Sequence, residues 1–470
     1  MFKSFSKSKP APSDNVVVFQ SVSGAAASDK PQAEPQPPFE LRTPEDPKLS
    51  HWLELKSKLH EALLDRLNLS VIDKVERSEL TREVAGVVGQ VLKSTGEALQ
   101  GDEFNRLVEE LINEILGFGP LEPLLADPSV NDILVNGHRD VFVERHGVLE
   151  RAQVRFRDEK HLLRIIDKIV SRVGRRIDES QPWVDARLED GSRVNAIIRP
   201  CAIDGPSVSI RKFAASPLTM DKLIEIGTVS GPAASFLRAL VEARMNILIS
   251  GGTGSGKTTM LNALSSYIGE RERIVTIEDA AELQLQQAHV VRLETRPPSP
   301  LGTGAVVQRD LVRNALRMRP DRIIVGEVRG AESFDMLQAM NTGHDGSMTT
   351  VHANTARDAL SRLEQMVTMT GVDFPISAVR AQIASGLHLV VQLARLSDGR
   401  RRVMSISEIT GMEGDVIALQ DIFVFQKQGR AETGEVQGRF RATGIRPKCA
   451  EQLIAAGVEF DPAAFRSGEA

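Results

Sequence analysis

The sequence is poor in aromatic residues, with two Trp, one Tyr and 17 Phe among 470 residues. Apolar residues still make up 41% of the chain, so we expect cores built from aliphatic side chains. Single-stranded nucleic acid is usually bound on exposed aromatic rings, and a net charge of -5 offers no global attraction for a polyanion. One local basic cluster, GRRR at residues 399–402, could still form a patch. Nucleic acid is therefore not expected as a partner.

Cysteines and long apolar runs are also scarce. The two cysteines, Cys201 and Cys449, lie far apart and have no CxxC spacing. The sequence therefore predicts neither a disulfide framework nor a cysteine zinc site. No 18 consecutive apolar residues occur, and the first 15 residues lack the apolar centre of a signal peptide. We therefore expect a soluble, cytoplasmic protein.

Four regions follow from changes in composition and periodicity. Residues 1–50 hold eight of the 23 prolines and are expected to form a disordered tail. Residues 51–115 repeat apolar positions at intervals of three and four, which predicts a helical bundle. Residues 116–225 alternate with period two around one helical stretch and contain Asp-Gly turns, which predicts an α+β domain. Residues 226–470 form the fourth region.

A phosphate-binding motif opens the fourth region. The apolar run MNILIS predicts a buried parallel strand, and GGTGSGKTT follows it directly. Glycines let backbone N–H groups approach phosphate oxygens, and the next helix adds its positive end. Lys257 is expected to contact the β- and γ-phosphates, and the Thr258 hydroxyl to bind Mg²⁺. The predicted nucleotide-binding residues are Gly252, Thr253, Gly254, Ser255, Gly256, Lys257, Thr258 and Thr259.

Acidic residues follow two later strands of the same region. Glu278, Asp279 and Glu282 come after the apolar run at 274–277, and Glu327 comes after the run at 323–325. Ligands of doubly wound sheets bind at the carboxyl ends of the strands. Carboxylates there can hold Mg²⁺ or orient the attacking water, so the order of the motifs predicts ATP hydrolysis with Mg²⁺.

The stretch TGHDGSMTTVHAN places His344 and His352 in a polar run. Metal binding needs three or four ligands, and Asp345 is the one further candidate nearby. A buried structural pair is the second reading. The third reading has a strand over SMTTVHAN that presents His352 toward the phosphates, with His344 on the preceding loop, so that the pair senses the nucleotide.

GGTGSGKTT, TIEDAAEL, RMRPDRIIVGEVRG and TGHDGSMTTVHAN resemble the Walker A, Asp box, Walker B and His box of the secretion ATPase superfamily. GFGPLEPLL, DGSRVNAIIRP, SIRKF and the segment TGIRPKCAEQLIAAGVEFDPAAF further resemble the CpaF family, the motor ATPases of Tad (Flp) pili. This resemblance implies an α/β fold with a RecA-like P-loop ATPase domain. A helical region and a PAS-like α+β domain would precede it. The four zinc-binding cysteines of many pilus and type II relatives are missing, which favours the Tad and type IV secretion branches.

The resemblance also implies roles for individual residues. Glu282 corresponds to the catalytic glutamate, supported by Glu278 and Asp279, and Glu327 to the Walker B residue that coordinates Mg²⁺ together with Thr258. Arginines of the α+β domain would act on the phosphates, with Arg187, Arg193 and Arg211 as candidates and Arg193 as the first choice.

The implied assembly is a homohexamer that works on a polytopic inner-membrane platform protein and builds, or also retracts, a pilus. The ATPase would then be peripheral to the inner membrane. A type IV secretion ring ATPase is the alternative. A nucleic-acid translocase and a nucleotide-gated scaffold without turnover are two further alternatives.

Overall fold

The computed structural model describes residues 47–66, 76–145, 147–213, 217–298, 303–371, 374–466 and 468–469. The chain divides into two units, residues 1–55 and 56–470. The predicted disordered tail lies outside the described residues as far as residue 46. The helix that follows begins at Pro47, four residues earlier than the predicted bundle, and proline is favoured in the first turn of a helix.

The helices are α1 (Pro47–Arg66), α2 (Arg77–Thr95), α3 (Gly101–Leu116), α4 (Glu122–Ala126), α5 (Glu159–Arg172), α6 (Met220–Glu225), α7 (Gly231–Glu242), α8 (Lys257–Ser265), α9 (Gln308–Ala315), α10 (Glu332–Asn341), α11 (Ala356–Thr368), α12 (Ile376–Gly386) and α13 (Ala450–Ala455). The strands are β1 (Val130–Asn136), β2 (Asp140–Arg145), β3 (Val148–Arg151), β4 (Trp183–Arg187), β5 (Arg193–Ile197), β6 (Ser207–Arg211), β7 (Ile247–Gly251), β8 (Ile274–Glu278), β9 (Val290–Glu294), β10 (Arg322–Val325), β11 (Met348–Val351), β12 (Leu389–Arg395), β13 (Arg401–Glu413), β14 (Val416–Arg430), β15 (Val436–Ala442) and β16 (Gly468–Glu469).

Strands β1 to β6 form an antiparallel sheet in the order β3-β2-β1-β6-β5-β4. The alternating burial of β1 puts Ile133 and Val135 in one core with Leu162 and Ile166 of α5. Helix α5 begins after Asp158, whose side chain accepts a hydrogen bond from the His161 N–H and so satisfies a donor of the first turn. This antiparallel sheet carries the arginines that the sequence predicted to act on phosphate.

The second sheet has ten strands in the order β16-β15-β14-β13-β12-β7-β11-β10-β8-β9. The strands β7 to β12 run parallel to one another, and β13 to β16 extend the sheet as antiparallel strands. One strand, β11, separates the P-loop strand β7 from the Walker B strand β10. This order is that of a RecA-like P-loop ATPase domain, so the predicted α/β fold class is confirmed.

Strand β7 lies in the middle of the ten-stranded sheet and is buried on both faces. Ile247 and Ile249 belong to a core that includes Leu237 of α7 and Leu264 of α8. Leu248, on the other face, belongs to a second core formed with helices α10, α11 and α12. A strand covered on both faces cannot move without disturbing two cores, so the loop that follows it has a rigid base.

Among the described residues, none of the helices has the length and apolar character that a membrane crossing requires.

Candidate nucleotide site

The predicted phosphate loop connects β7 to α8. Gly254 and Gly256 have φ angles of 67° and 94°, a left-handed conformation that glycine adopts without steric cost. Gly256 is the N-cap of α8, so the positive end of that helix faces the loop. A Cβ added at Gly252 would meet no atom within 4 Å, which leaves open space on that side of the loop. The geometry is suited to an anion.

Lys257 lies over this loop. Its Nζ donates to the carbonyl oxygens of Gly251 and Gly252 at 3.1 and 3.2 Å. Burial lowers the pKa of Lys257, and the nearby Glu327 carboxylate partly offsets that effect. A desolvated ammonium held by neutral carbonyls gains free energy when an anion replaces them, so Lys257 fits the predicted phosphate contact.

Glu327 follows the Walker B strand β10. Because β10 and β7 point in the same direction, Glu327 and the phosphate loop lie at the same edge of the sheet. Its carboxylate pairs with Arg329 at 2.7 Å, and Arg329 also approaches Asp279 at 3.5 Å. Burial raises the pKa of Asp279, while the charge of Arg329 acts in the opposite direction. The structure therefore brings Glu327 and Asp279 together through a cation that the sequence analysis did not single out.

Glu278, the last residue of β8, is 4% exposed and lies inside the protein. Its Oε2 accepts hydrogen bonds from the backbone N–H groups of Glu282 and Leu283 at 2.8 and 2.9 Å. Its Oε1 has no hydrogen-bond partner among the described residues. Burial raises the pKa of Glu278 to about 7. Glu278, which was expected to support Glu282, thus holds the backbone of the loop that carries it.

The arginines of the antiparallel sheet reach the edge of the ten-stranded sheet in the same chain. Arg193 Nη1 lies 3.0 Å from Glu282 Oε1, and Arg187 Nη1 lies 2.8 Å from Glu294 Oε2. Arg187 also donates to the carbonyl oxygen of Ala281. Arg193 therefore contacts the predicted catalytic residue directly, and Arg187 contacts the loop that leads to it.

Arg211 has its closest ionic partner elsewhere, at Asp132, 3.1 Å away. The positive charge of Arg211 nevertheless helps to lower the pKa of Lys257. The negative charge of Glu282 in turn helps to raise the pKa of Arg211. It lies near the phosphate loop as an additional positive charge.

The two histidines lie at opposite ends of β11. His352 follows the strand directly, and its pKa is lowered by burial and by the charge of Lys257. The loop from His344 to Ser347 lies at the other end, where Ser347 accepts and donates hydrogen bonds beside Asn246. About five residues of extended chain, roughly 16 Å, separate Ser347 from His352. The predicted strand therefore does run between a loop with His344 and an end with His352, and the sensing role of the pair stays a prediction.

Two further cations lie against the phosphate loop. Arg401 donates from Nε to the carbonyl oxygen of Gly254 at 2.9 Å, and Arg395 Nη1 lies 3.5 Å from the position of a Cβ on Gly254. In the sequence, Arg401 belongs to the basic cluster at residues 399–402, which was considered only as a possible surface patch. Without the strand register, nothing distinguished Arg401 from its neighbours.

The residues present fit a nucleotide with Mg²⁺. The hydroxyl of Thr258, in the first turn of α8, and the carboxylate of Glu327 are oxygen ligands of the kind that Mg²⁺ prefers. In the described part of the chain, no group of three or more His, Cys, Asp and Glu residues could hold a metal ion by itself. This donor set matches an ion held mainly by the phosphates that accompany it.

A family model described as Type II/IV secretion system protein matches residues 114–449, which include strands β1 to β15 and the site. The chain belongs to this family. A Mycobacterium tuberculosis protein whose name refers to conjugal transfer is 40% identical over 315 residues, covering 66% of this chain and 89% of the relative. The type IV secretion system protein PtlH of Bordetella pertussis is 36% identical over 312 residues, covering 61% of this chain and 92% of PtlH.

Solved structures of similar proteins include the VirB11 ATPase of the Brucella suis type IV secretion system. It is 29% identical, with a TM-score of 0.34, and the match covers 61% of this chain and 94% of VirB11. The pilus retraction motor PilT is 23% identical, with a TM-score of 0.44, and the match covers 64% of this chain and 80% of PilT.

Proposed function

We propose that this member of the type II/IV secretion family is a motor that hydrolyses ATP and uses the energy for transport through a membrane-bound machine. The contact between Arg193 and Glu282 supports this proposal most directly. It joins a cation of the antiparallel sheet to the candidate catalytic carboxylate, which follows a strand of the parallel sheet that also supports the phosphate loop. A site built for binding alone would not need a carboxylate there, because carboxylates repel phosphate.

In the proposed mechanism the chain's own residues divide the work. The phosphate loop and Lys257 bind the β- and γ-phosphates of ATP. When ATP binds, Arg193 leaves Glu282 and pairs with the phosphate oxygens, because the triphosphate carries more negative charge than one carboxylate and competes for the guanidinium. The freed Glu282 carboxylate then orients a water molecule and accepts its proton. Mg²⁺, held by Thr258 and Glu327, would supply neutralisation of the charge that develops on the leaving phosphate.

The test is phosphate release by the full chain and two variants. We expect Glu282→Gln to lower kcat by about 10²- to 10⁴-fold while ATP still binds, because it removes a general base. Lys257→Ala is expected to abolish nucleotide binding, measured with a fluorescent ATP analogue. Glu225→Gln, at an exposed position of helix α6, is the charge-matched control and is expected to behave as wild type. Equal rates for wild type and Glu282→Gln would remove Glu282 from its role. Tight nucleotide binding without any turnover in wild type would favour the scaffold alternative.

For the transported cargo, the motif resemblance supports assembly of a Tad (Flp) pilus by a homohexamer peripheral to the inner membrane. The named relatives favour a second candidate, a type IV secretion ring ATPase, because PtlH is named a type IV secretion system protein and other relatives are named for conjugal transfer. The two candidates differ in their partners. Affinity purification of the Glu282→Gln variant from native membranes, with identification of the polytopic proteins that accompany it, separates a pilus platform from a type IV secretion channel.

A nucleic-acid translocase makes a different prediction from both candidates. It would bind single-stranded DNA in a salt-sensitive way, and the DNA would stimulate hydrolysis. Fluorescence anisotropy with a labelled oligonucleotide at two salt concentrations measures this. Binding combined with stimulation would contradict the proposed absence of a nucleic-acid partner.

A further inference from the structure

The hairpin between β12 and β13 carries one arginine at each end of its turn. Arg395 ends β12, Arg401 begins β13, and the two residues pair in the register of the sheet. Strand β12 runs parallel to β7, with Leu393 opposite Gly251. Two residues beyond Leu393, the chain has therefore passed the end of β7 and lies beside the phosphate loop. The register of the sheet, rather than local sequence, brings both arginines to that loop.

Arg401 makes the closer contact with the loop. Its Nε donates to the carbonyl oxygen of Gly254 at 2.9 Å. Its Cδ lies 3.5 Å from the position of a Cβ on Gly256, so the stem of the side chain packs along the loop. Because Gly254 and Gly256 can adopt many backbone conformations, a hydrogen bond to this carbonyl selects one orientation of the peptide group.

Glu144 of β2 lies between the two arginines. Its Oε1 is 3.3 Å from Arg401 Nη2, and its Oε2 is 3.6 Å from Arg395 Nη1. The Glu144 side chain is 12% exposed and faces both guanidinium groups. Arg395 also donates to the carbonyl oxygen of Gly147 in the turn after β2. The antiparallel sheet is thus linked to the phosphate loop through Arg401, which pairs with Glu144 and donates to the carbonyl oxygen of Gly254.

The geometry requires arginine at position 401. Its guanidinium bonds Gly254 through Nε and approaches Glu144 through Nη2, two atoms that point in different directions. The single ammonium of a lysine could reach one of these partners but could not hold both in the same geometry.

We propose that Arg401 is a positioning residue of the phosphate loop and that Glu144, in the antiparallel sheet, holds Arg401 in place. Arg401 acts on the backbone of the loop and touches no reacting atom, so it influences how well the loop is arranged to receive phosphate. Its loss is expected to raise KM for ATP and to leave kcat nearly unchanged, the pattern of an interaction made equally in the ground state and the transition state. The proposal rests on the proposed ATPase function for its KM and kcat readouts, and nucleotide affinity tests it independently.

The experiment compares Arg401→Gln, Arg401→Lys and Arg400→Gln in the full chain. Arg400 is the adjacent residue and pairs with Glu435, away from the loop, so Arg400→Gln is the matched control. We expect Arg401→Gln to weaken binding of a fluorescent ATP analogue and to raise KM by about tenfold, the usual effect of losing a hydrogen bond from a charged donor. Arg401→Lys should lie between Arg401→Gln and wild type, and Arg400→Gln should stay within about twofold of wild type.

A double-mutant cycle with Glu144→Gln tests the link to the antiparallel sheet. If Glu144 acts through Arg401, the double variant binds nucleotide as weakly as Arg401→Gln alone. Additive losses, or an unchanged affinity in Arg401→Gln at an unchanged melting temperature, would overturn the proposal. Absence of turnover in wild type would overturn the proposed function instead, because the affinity measurements need no hydrolysis.

Discussion

At the scale of single residues, Glu278 is the most unusual ionisable group of the site. It is buried, two backbone N–H groups share one of its oxygens, and the other oxygen has no partner in the described ranges. Burial raises its pKa to about 7, whereas an exposed glutamate titrates near 4.5. In the folded protein Glu278 therefore keeps its proton at pH values where the unfolded chain has already lost it. Below about pH 7 the neutral acid therefore holds the backbone of Glu282 without adding negative charge to the loop.

This difference makes stability depend on pH. Between about pH 4.5 and pH 7 the folded state binds the proton and the unfolded state does not, so the free energy of unfolding falls as the pH rises. We expect wild type to lose about 2 to 3 kcal/mol relative to Glu278→Gln between pH 5 and pH 8, because the amide mimics the neutral acid and does not titrate.

Urea unfolding at the two pH values measures the loss, with Glu225→Gln as the exposed control. Parallel pH profiles for wild type and Glu278→Gln would show that Glu278 titrates normally.

At the scale of secondary structure elements, a buried ionic cluster joins α1, α3 and α5. Glu114 of α3 lies 2.9 Å from Lys56 Nζ and 2.9 Å from His161 Nε2, and the three side chains are at most 10% exposed. Burial by itself would raise the pKa of Glu114, but the hydrogen bond from His161 and the charge of Lys56 lower it to about 2. Glu114 of α3 is thus linked to α5 and to Lys56 by charge.

We expect Glu114→Ala to destabilise the folded chain by about 3 kcal/mol at pH 7, because it removes the closer carboxylate of buried Lys56 and the partner of buried His161. Glu110→Gln, one turn away on the same helix and also near Lys56, is the matched control with a smaller expected loss. The contribution of Glu114 is present above its unfolded pKa of 4.5 and is lost as the pH falls toward 2. Urea unfolding at pH 7 and pH 3 measures it, and an equal loss at both values would contradict the assignment.

The sequence predicted the elements better than their relative positions. The strands β7, β8, β10 and β11 and the helix α8 fall where apolar runs and the glycine motif indicated, because those signals are local. The burial of Glu278, the placement of Arg401 and the distance between the two histidines depend on which strands pair. Pairing is set by contacts between distant residues, and a single sequence does not display them.

At the scale of the whole molecule, the arginines of the antiparallel sheet contact the site of their own chain. In a ring with head-to-tail interfaces, a domain of one subunit can touch the site of the next. Arg193 and Glu282 instead meet within one chain, 3.0 Å apart. In a ring assembled from such chains, every subunit would contain both Arg193 and Glu282 of its own site.

Mixing inactive variants tests this arrangement. We expect rings of Arg193→Ala and Glu282→Gln subunits to hydrolyse no more ATP than the two separate variants, because no subunit then has both groups. If the arginine acted on the neighbouring site, random mixing would restore about a quarter of the sites. Phosphate release from co-assembled rings, with wild-type rings as the reference, gives the answer.

The central position of β7 has a consequence for synthesis of the protein. Asn246, directly before this strand, bonds partners 101 and 142 residues further along the chain, next to the two strands that pair with β7. When the phosphate loop emerges from the ribosome, neither β11 nor β12, the two strands that pair with β7, has yet been synthesised. The loop can take up its nucleotide-binding form only after β12 has emerged. Until then, an apolar strand with two unpaired edges is exposed, and it is a natural target for chaperones.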